Sequence, residues 1–161
     1  MKKIIVLFII SLVIMSFKNN KEKISNGKLT EIQLNFVKEN YNWNSEDIII
    51  VNFRQPRTNC SYDNYENLSN SVSWWNSFYS IINLKNTLNI FVYSNKRAAL
   101  NIIDSKTHFE DKNNFFLNTF FSKERECYGL LVINKLGYYK QINGEYSENE
   151  VTNFIELLVL K

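Results

Sequence analysis

Strands alternating with helices predict an α/β fold for this chain, and three observations carry the prediction. Residues 48–53 (Ile-Ile-Ile-Val-Asn-Phe) form a short β-branched run with polar flanks, the signature of a strand buried on both faces. Leu68, Val72, Trp75, Tyr79 and Ile82 then recur at spacings of four, three, four and three, which places them on one face of a helix. Late in the chain, residues 128–134 and 138–142 read as two strands separated by Lys135-Leu136-Gly137, an antiparallel hairpin. Together they call for a central mixed sheet, mostly parallel, with helices packed against it.

In chain order, the first 17 residues read as a targeting segment. Lys2 and Lys3 precede a stretch, 4–17, that is apolar apart from Ser11 and Ser16. That stretch falls short of the roughly 20 residues of a spanning helix, so it is expected to be a signal peptide cleaved after Ser16, with an uncleaved amino-terminal anchor as the alternative. Residues 18–28 are polar and read as a linker, leaving 29–161 as one domain. Leu29, Ile32, Phe36, Val37 and Tyr41 predict an amphipathic helix over 29–41, with Glu31, Lys38 and Glu39 outside. The helix near 68–82 carries Trp74, Trp75, Phe78, Tyr79, Ile81 and Ile82, which we assign to the core rather than to a ligand cage. A second strand is expected over 88–93, then a helix over 96–103 capped by Ser94-Asn95. The polar stretch 104–114 reads as a loop in which His108 is solvated, and 115–121 as a short apolar helical turn or partly buried loop. Ser147 and Glu150 form a capping box ahead of a last helix that carries Val151, Phe154, Ile155, Leu158 and Val159 on one face.

Bulk properties narrow the function. With 45 % hydrophobic and 15 % aromatic residues in 161, the chain can build a real core. A formal charge of +3, with Lys and Arg scattered, offers no nucleic-acid footprint. No Gly-rich phosphate loop or Ser/His/Asp set is found. With one histidine and two cysteines, a zinc site would lack ligands of the usual kind, and no cofactor is implied. Asp63, Glu66 and Asp111 read as solvated or capping groups. Both cysteines, Cys60 and Cys127, lie beyond the targeting segment. In an oxidising compartment they form either a disulfide or a functional pair.

The first cysteine has a suggestive setting. The strand at 48–53 breaks at Pro56, the only proline, and delivers Cys60 to a loop at or just before the next helix. A helix amino end favours a thiolate through its free N–H groups and dipole.

This order of elements resembles the thioredoxin-like family, closest to the exported thiol–disulfide oxidoreductases of bacterial envelopes. Val51-Asn52-Phe53 stands where the family has its strand ending in Asn-Phe-Trp before Cys-x-x-Cys. Residues 128–137 (Tyr-Gly-Leu-Leu-Val-Ile-Asn-Lys-Leu-Gly) are similar in spacing to the family's Pro-Thr-x-Phe-Leu-Ile-Asp-x-x-Gly, and 111–121 lead into that strand. The resemblance implies a three-layer sandwich with parallel strands, a C-terminal antiparallel hairpin and flanking helices. It departs at the site. Cys-x-x-Cys is replaced by Cys60-Ser61-Tyr62-Asp63, the preceding loop is longer, and Tyr128 occupies the cis-proline position, where a trans peptide is expected. In this fold the residue before that position, here Cys127, faces the active-site cysteine, which implies that the two sulfurs come within disulfide reach.

Three functions follow as expectations. The first is thiol–disulfide exchange in the periplasm or cell envelope. There Cys60 would be the attacking thiolate, aided by Arg54, Arg57 and the helix end, and Cys127 its resolving partner. Tyr128, Pro56 and Asp63 would shape the binding surface. The partners would be protein thiols or disulfides of the envelope, with membrane contact only through the first segment if it is retained. The second is a non-catalytic binding or scaffold domain in which Cys60–Cys127 is a structural bridge. The third is a peroxiredoxin-like peroxidase, for which Pro56 and Thr58 are misplaced and Arg97 or Arg125 would have to supply the cation.

Overall fold

The computed structural model describes residues 24–60, 64, 66–121 and 126–160. The targeting segment, most of the linker, Asp63 and Arg125 lie outside the described residues. Six strands form one mixed sheet: β1 (Ile24–Lys28), β2 (Ile48–Arg54), β3 (Thr87–Tyr93), β4 (His108–Glu110), β5 (Tyr128–Asn134) and β6 (Tyr138–Asn143). Their order across the sheet is β1-β6-β5-β2-β3-β4. β2, β3 and β4 run parallel, whereas β5 lies antiparallel to β2, β6 to β5 and β1 to β6. The fold is thus α/β with a mixed sheet, but the expectation of a mostly parallel one is corrected: three of the five pairings are antiparallel, because β1 joins the edge of the β5–β6 hairpin and β5 runs against β2.

β2 is buried along its whole length, in keeping with its continuous apolar run. Its alternate residues feed two cores. Ile48 and Ile50 join Leu68, Trp75, Phe78 and Tyr79 of α2 (Leu68–Tyr79) and Val151, Phe154 and Leu158 of α3 (Glu148–Val159). Ile49, Val51 and Phe53 face the opposite way, against Val37 of the helix α1 (Glu31–Asn40), its C-cap Tyr41, and Phe116 and Phe121 of the aromatic stretch before β5. Helical layers therefore cover both faces of the sheet.

Local chemistry sets the element ends. Thr30 and Gln33 form a capping box that starts α1, and Ser147 with Glu150 does the same for α3. The β5–β6 turn uses Gly137 at φ +86°, a conformation that glycine adopts without strain.

Several expectations are corrected. The linker contains β1, whose mostly exposed Ile-Ser-Asn-Gly-Lys carries no apolar alternation and gains its pairing from β6. Ile32 is 84 % exposed, since α1 begins at Glu31 and turns Leu34 and Val37 inward instead. The helix expected over 96–103 is a series of turns, with Asn95 Oδ1 capping Ala98 N–H. The loop at 104–114 holds β4, and His108 is buried, stacked on Phe91 with ring centroids 5.1 Å apart. Val159 stands exposed beyond the buried face of α3. The stretch 115–121 ends in a wide helical turn, Leu117–Phe121, close to the short apolar turn expected.

Candidate functional site

β2 and β5 pair as far as Arg54 opposite Tyr128, and the ladder gains one more bond where Gln55 N–H donates to the Cys127 carbonyl at 3.0 Å. Beyond Gln55 the chain leaves the sheet through the buried Pro56, and a turn follows in which Cys60 N–H donates to the Arg57 carbonyl at 3.1 Å. This turn brings Cys60 back over the start of β5, where it is joined to Cys127 by a disulfide with a Cα–Cα distance of 5.9 Å. Two residues 67 apart in sequence thus meet because their strands are neighbours at the sheet's centre.

The two sulfurs have unequal surroundings. Cys60 is 2 % exposed, and its Sγ lies 3.7 Å from the Gln55 carbonyl oxygen. Cys127 is partly exposed and follows the exposed Glu126. Among the described residues, no helix begins at Cys60. α2 starts at Leu68, eight residues further on, and the amide of its N-cap Asn67 is bound by the Asn64 side chain. A carbonyl oxygen, unlike a row of helix N–H groups, disfavours negative charge on the sulfur. The expectation that Cys60 stands at or just before the helix is corrected to this extent: α2 begins eight residues after it. Tyr128 opens β5 with a trans peptide, no cis bond being present among the described residues.

A cleft of about 200 Å³ is walled by Trp74, Trp75, Glu145, Tyr146 and Tyr128, the residue that follows Cys127. Trp74 is 46 % exposed, so the aromatic stripe of α2 spills out of the core at this point, and its ring meets Trp75 edge-on. Gly144, just before Glu145, donates its N–H to the Tyr128 carbonyl at 2.9 Å, which holds the β6–α3 connection against β5. The cleft opens past the carboxyl end of β2, where parallel strands of open α/β sheets commonly present their ligands.

Under the cleft runs a buried polar network. Arg54, fully buried, places its guanidinium 3.9 Å from the centre of the Trp75 ring, with the Phe91, Tyr128 and Tyr146 rings at 5.3–5.7 Å. Its Nη2 donates to Tyr146 Oη at 2.8 Å, and Tyr146 donates onward to Asn52 Oδ1 at 2.7 Å. Tyr79 donates to the same oxygen, while Asn52 Nδ2 donates to Asn89 Oδ1 at 2.7 Å and to the Ile90 carbonyl at 2.8 Å. Burial, then the neighbouring Tyr146, pushes the Tyr79 hydroxyl well above its ordinary pKa, so it stays a donor. Sequence reading gave Arg54 to Cys60 and missed this network. Its signal was there, two strongly polar residues on one face of a strand otherwise wholly apolar.

Comparison with family models, curated proteins and solved structures finds no match. The chemistry must be read from the residues.

The remaining candidates make no side-chain hydrogen bond to either cysteine among the described contacts. Pro56 is buried in the loop wall, Thr58 and Arg97 are exposed, and Arg57 Nη2 binds Gln55 Oε1 at 3.2 Å. Asp111 does cap, as expected of it, accepting Phe116 and Leu117 N–H at 3.0 and 2.9 Å, but it is buried rather than solvated. Burial pushes its carboxyl up to about 6 against those backbone donors. The His108 ring is held below its ordinary pKa by burial, which outweighs the nearby Asp104 carboxylate. No group of three or more His, Cys, Asp or Glu is placed to hold a metal among the described residues.

Proposed function

We propose that this chain is an exported thioredoxin-like domain that takes part in thiol–disulfide exchange with protein thiols or disulfides of the cell envelope. One observation carries the reading: the Cys60–Cys127 bridge ties the turn that leaves the central strand to the residue just before Tyr128, a wall of an aromatic cleft. The parallel β2/β3 pair, the antiparallel β5/β6 hairpin and the meeting of the residue before β5 with the cysteine after β2 all agree with the thioredoxin-like resemblance. A disulfide can exchange with an incoming thiol, and the aromatic walls of the cleft supply apolar contact area for a partner. Insulin reduction in the presence of dithiothreitol tests the activity. The reading predicts turbidity well ahead of the uncatalysed reaction, and a rate equal to background would overturn it.

A second reading has its own observation. The burial of Cys60 against a carbonyl suits a bridge that only clasps the 55–60 loop to β5, leaving the cleft of a non-catalytic domain in shape. It predicts no turnover and a bridge that survives mild reductant.

A further inference from the structure

We infer that exchange begins at Cys127 and not at Cys60, an assignment that rests on the exchange reading for its use in the cell. Thiol–disulfide exchange is an in-line displacement, so the incoming thiolate must reach the attacked sulfur from the side opposite the leaving one. Cys60 is sealed, at 2 % exposure, behind the 55–60 turn that its own N–H closes on the Arg57 carbonyl. Cys127 is partly exposed, and the next residue, Tyr128, is a wall of the cleft. An incoming thiol thus meets Cys127, the less buried of the two, first.

The step balances without a cofactor. The thiolate of a dithiol substrate attacks Cys127 Sγ, a new S–S bond forms there, and the Cys60–Cys127 bond breaks with its electron pair leaving on Cys60. Cys60 takes a proton from water and, as a thiol, can donate to the Gln55 carbonyl 3.7 Å away. The second thiol of the substrate, as thiolate, then attacks its own sulfur in the mixed disulfide and releases Cys127 as a thiolate, which is protonated in turn. The substrate leaves oxidised and the protein holds two thiols. The roles are the reverse of those the order of cysteines in the sequence suggests.

Single variants and the wild type test this. Cys60→Ser leaves only Cys127, and Cys127→Ser leaves only Cys60. With the fold checked by circular dichroism, 5,5′-dithiobis(2-nitrobenzoate) should label Cys60→Ser at least about tenfold faster than Cys127→Ser, since thiol reactivity follows exposure and thiolate fraction. Equal labelling, or faster labelling of Cys127→Ser, overturns the assignment. Should either variant unfold, the wild type reduced with a phosphine and given limiting iodoacetamide reports the same order by peptide mapping. Carboxamidomethylation first at Cys127 supports the proposal, and first at Cys60 refutes it. Failure of the exchange reading itself would show separately, as an absence of insulin reduction with this order of labelling intact.

Discussion

Replacing both cysteines by alanine should weaken the fold by an amount that the chain's own geometry sets. The bridge spans 67 residues, and closing a loop of that length removes enough unfolded-chain entropy to be worth about 4 kcal/mol at 25 °C. Part of the restraint survives in the variant, because the Gln55 N–H to Cys127 carbonyl bond and the β2–β5 ladder hold the same strands together in the folded state. That residual order belongs to the native state and leaves the entropy of the unfolded chain untouched, so most of the loss should be seen. At roughly 2–4 °C per kcal/mol for a chain of this size, the melting temperature should fall by roughly 10–15 °C. Thermal and urea unfolding followed by far-UV circular dichroism, with wild type in the presence and absence of reductant, measures it. Reduced wild type should track the double variant. A fall of less than about 3 °C would refute the reasoning, since it would mean that the unfolded chain is already confined without the bridge.

Three further outcomes are expected. The Asp111 carboxyl is raised to about 6 in the fold, so the native state binds a proton between about pH 4 and 6 that the unfolded chain has lost. Asp111's own contribution to stability should therefore rise as pH falls through that window, by up to about 3 kcal/mol, so Asp111→Asn should lose stability relative to wild type as pH falls from 6 to 4 in urea titrations at several pH values. An unchanged slope in the variant would exclude Asp111 as its source. A Cβ at Gly129 would stand 2.3 Å from Phe121 Cε1, in a ring stacked on Phe53, so Gly129→Ala should cost about 2–3 kcal/mol in the same urea assay, and adding Phe121→Leu should restore part of it. Tyr79→Phe, which removes one of two hydroxyls on Asn52 Oδ1, should cost about 1 kcal/mol by urea unfolding, whereas Asn52→Leu, which removes the acceptor shared by both, should cost about 3 kcal/mol.

Where the sequence could be read, a single physical signal dominated. β2 and β5 are buried on both faces, and their continuous apolar runs place them almost to the residue. The capping box at Ser147 and the glycine turn at Gly137 are local devices that act within a few residues, so they too were legible. β1 and β4 were not, because an edge strand of polar residues takes its conformation from its neighbour's hydrogen bonds rather than from its own side chains. The buried His108 follows from the same cause. At the site, the nearness of Cys60 and Cys127 was open to inference only through the resemblance, since neither neighbours the other in any local pattern. The burial of Cys60 depends on how the turn at 55–60 folds, and a turn with one proline and no periodicity leaves no such trace.

The reduction potential of the Cys60–Cys127 couple tests the central claim most directly. Equilibration against glutathione buffers, with the thiols counted by mass after alkylation, should place it above about −300 mV, in the range where cellular thiols can exchange with it. A value well below that would mark a bridge that stays closed in the envelope, and the exchange account would fall.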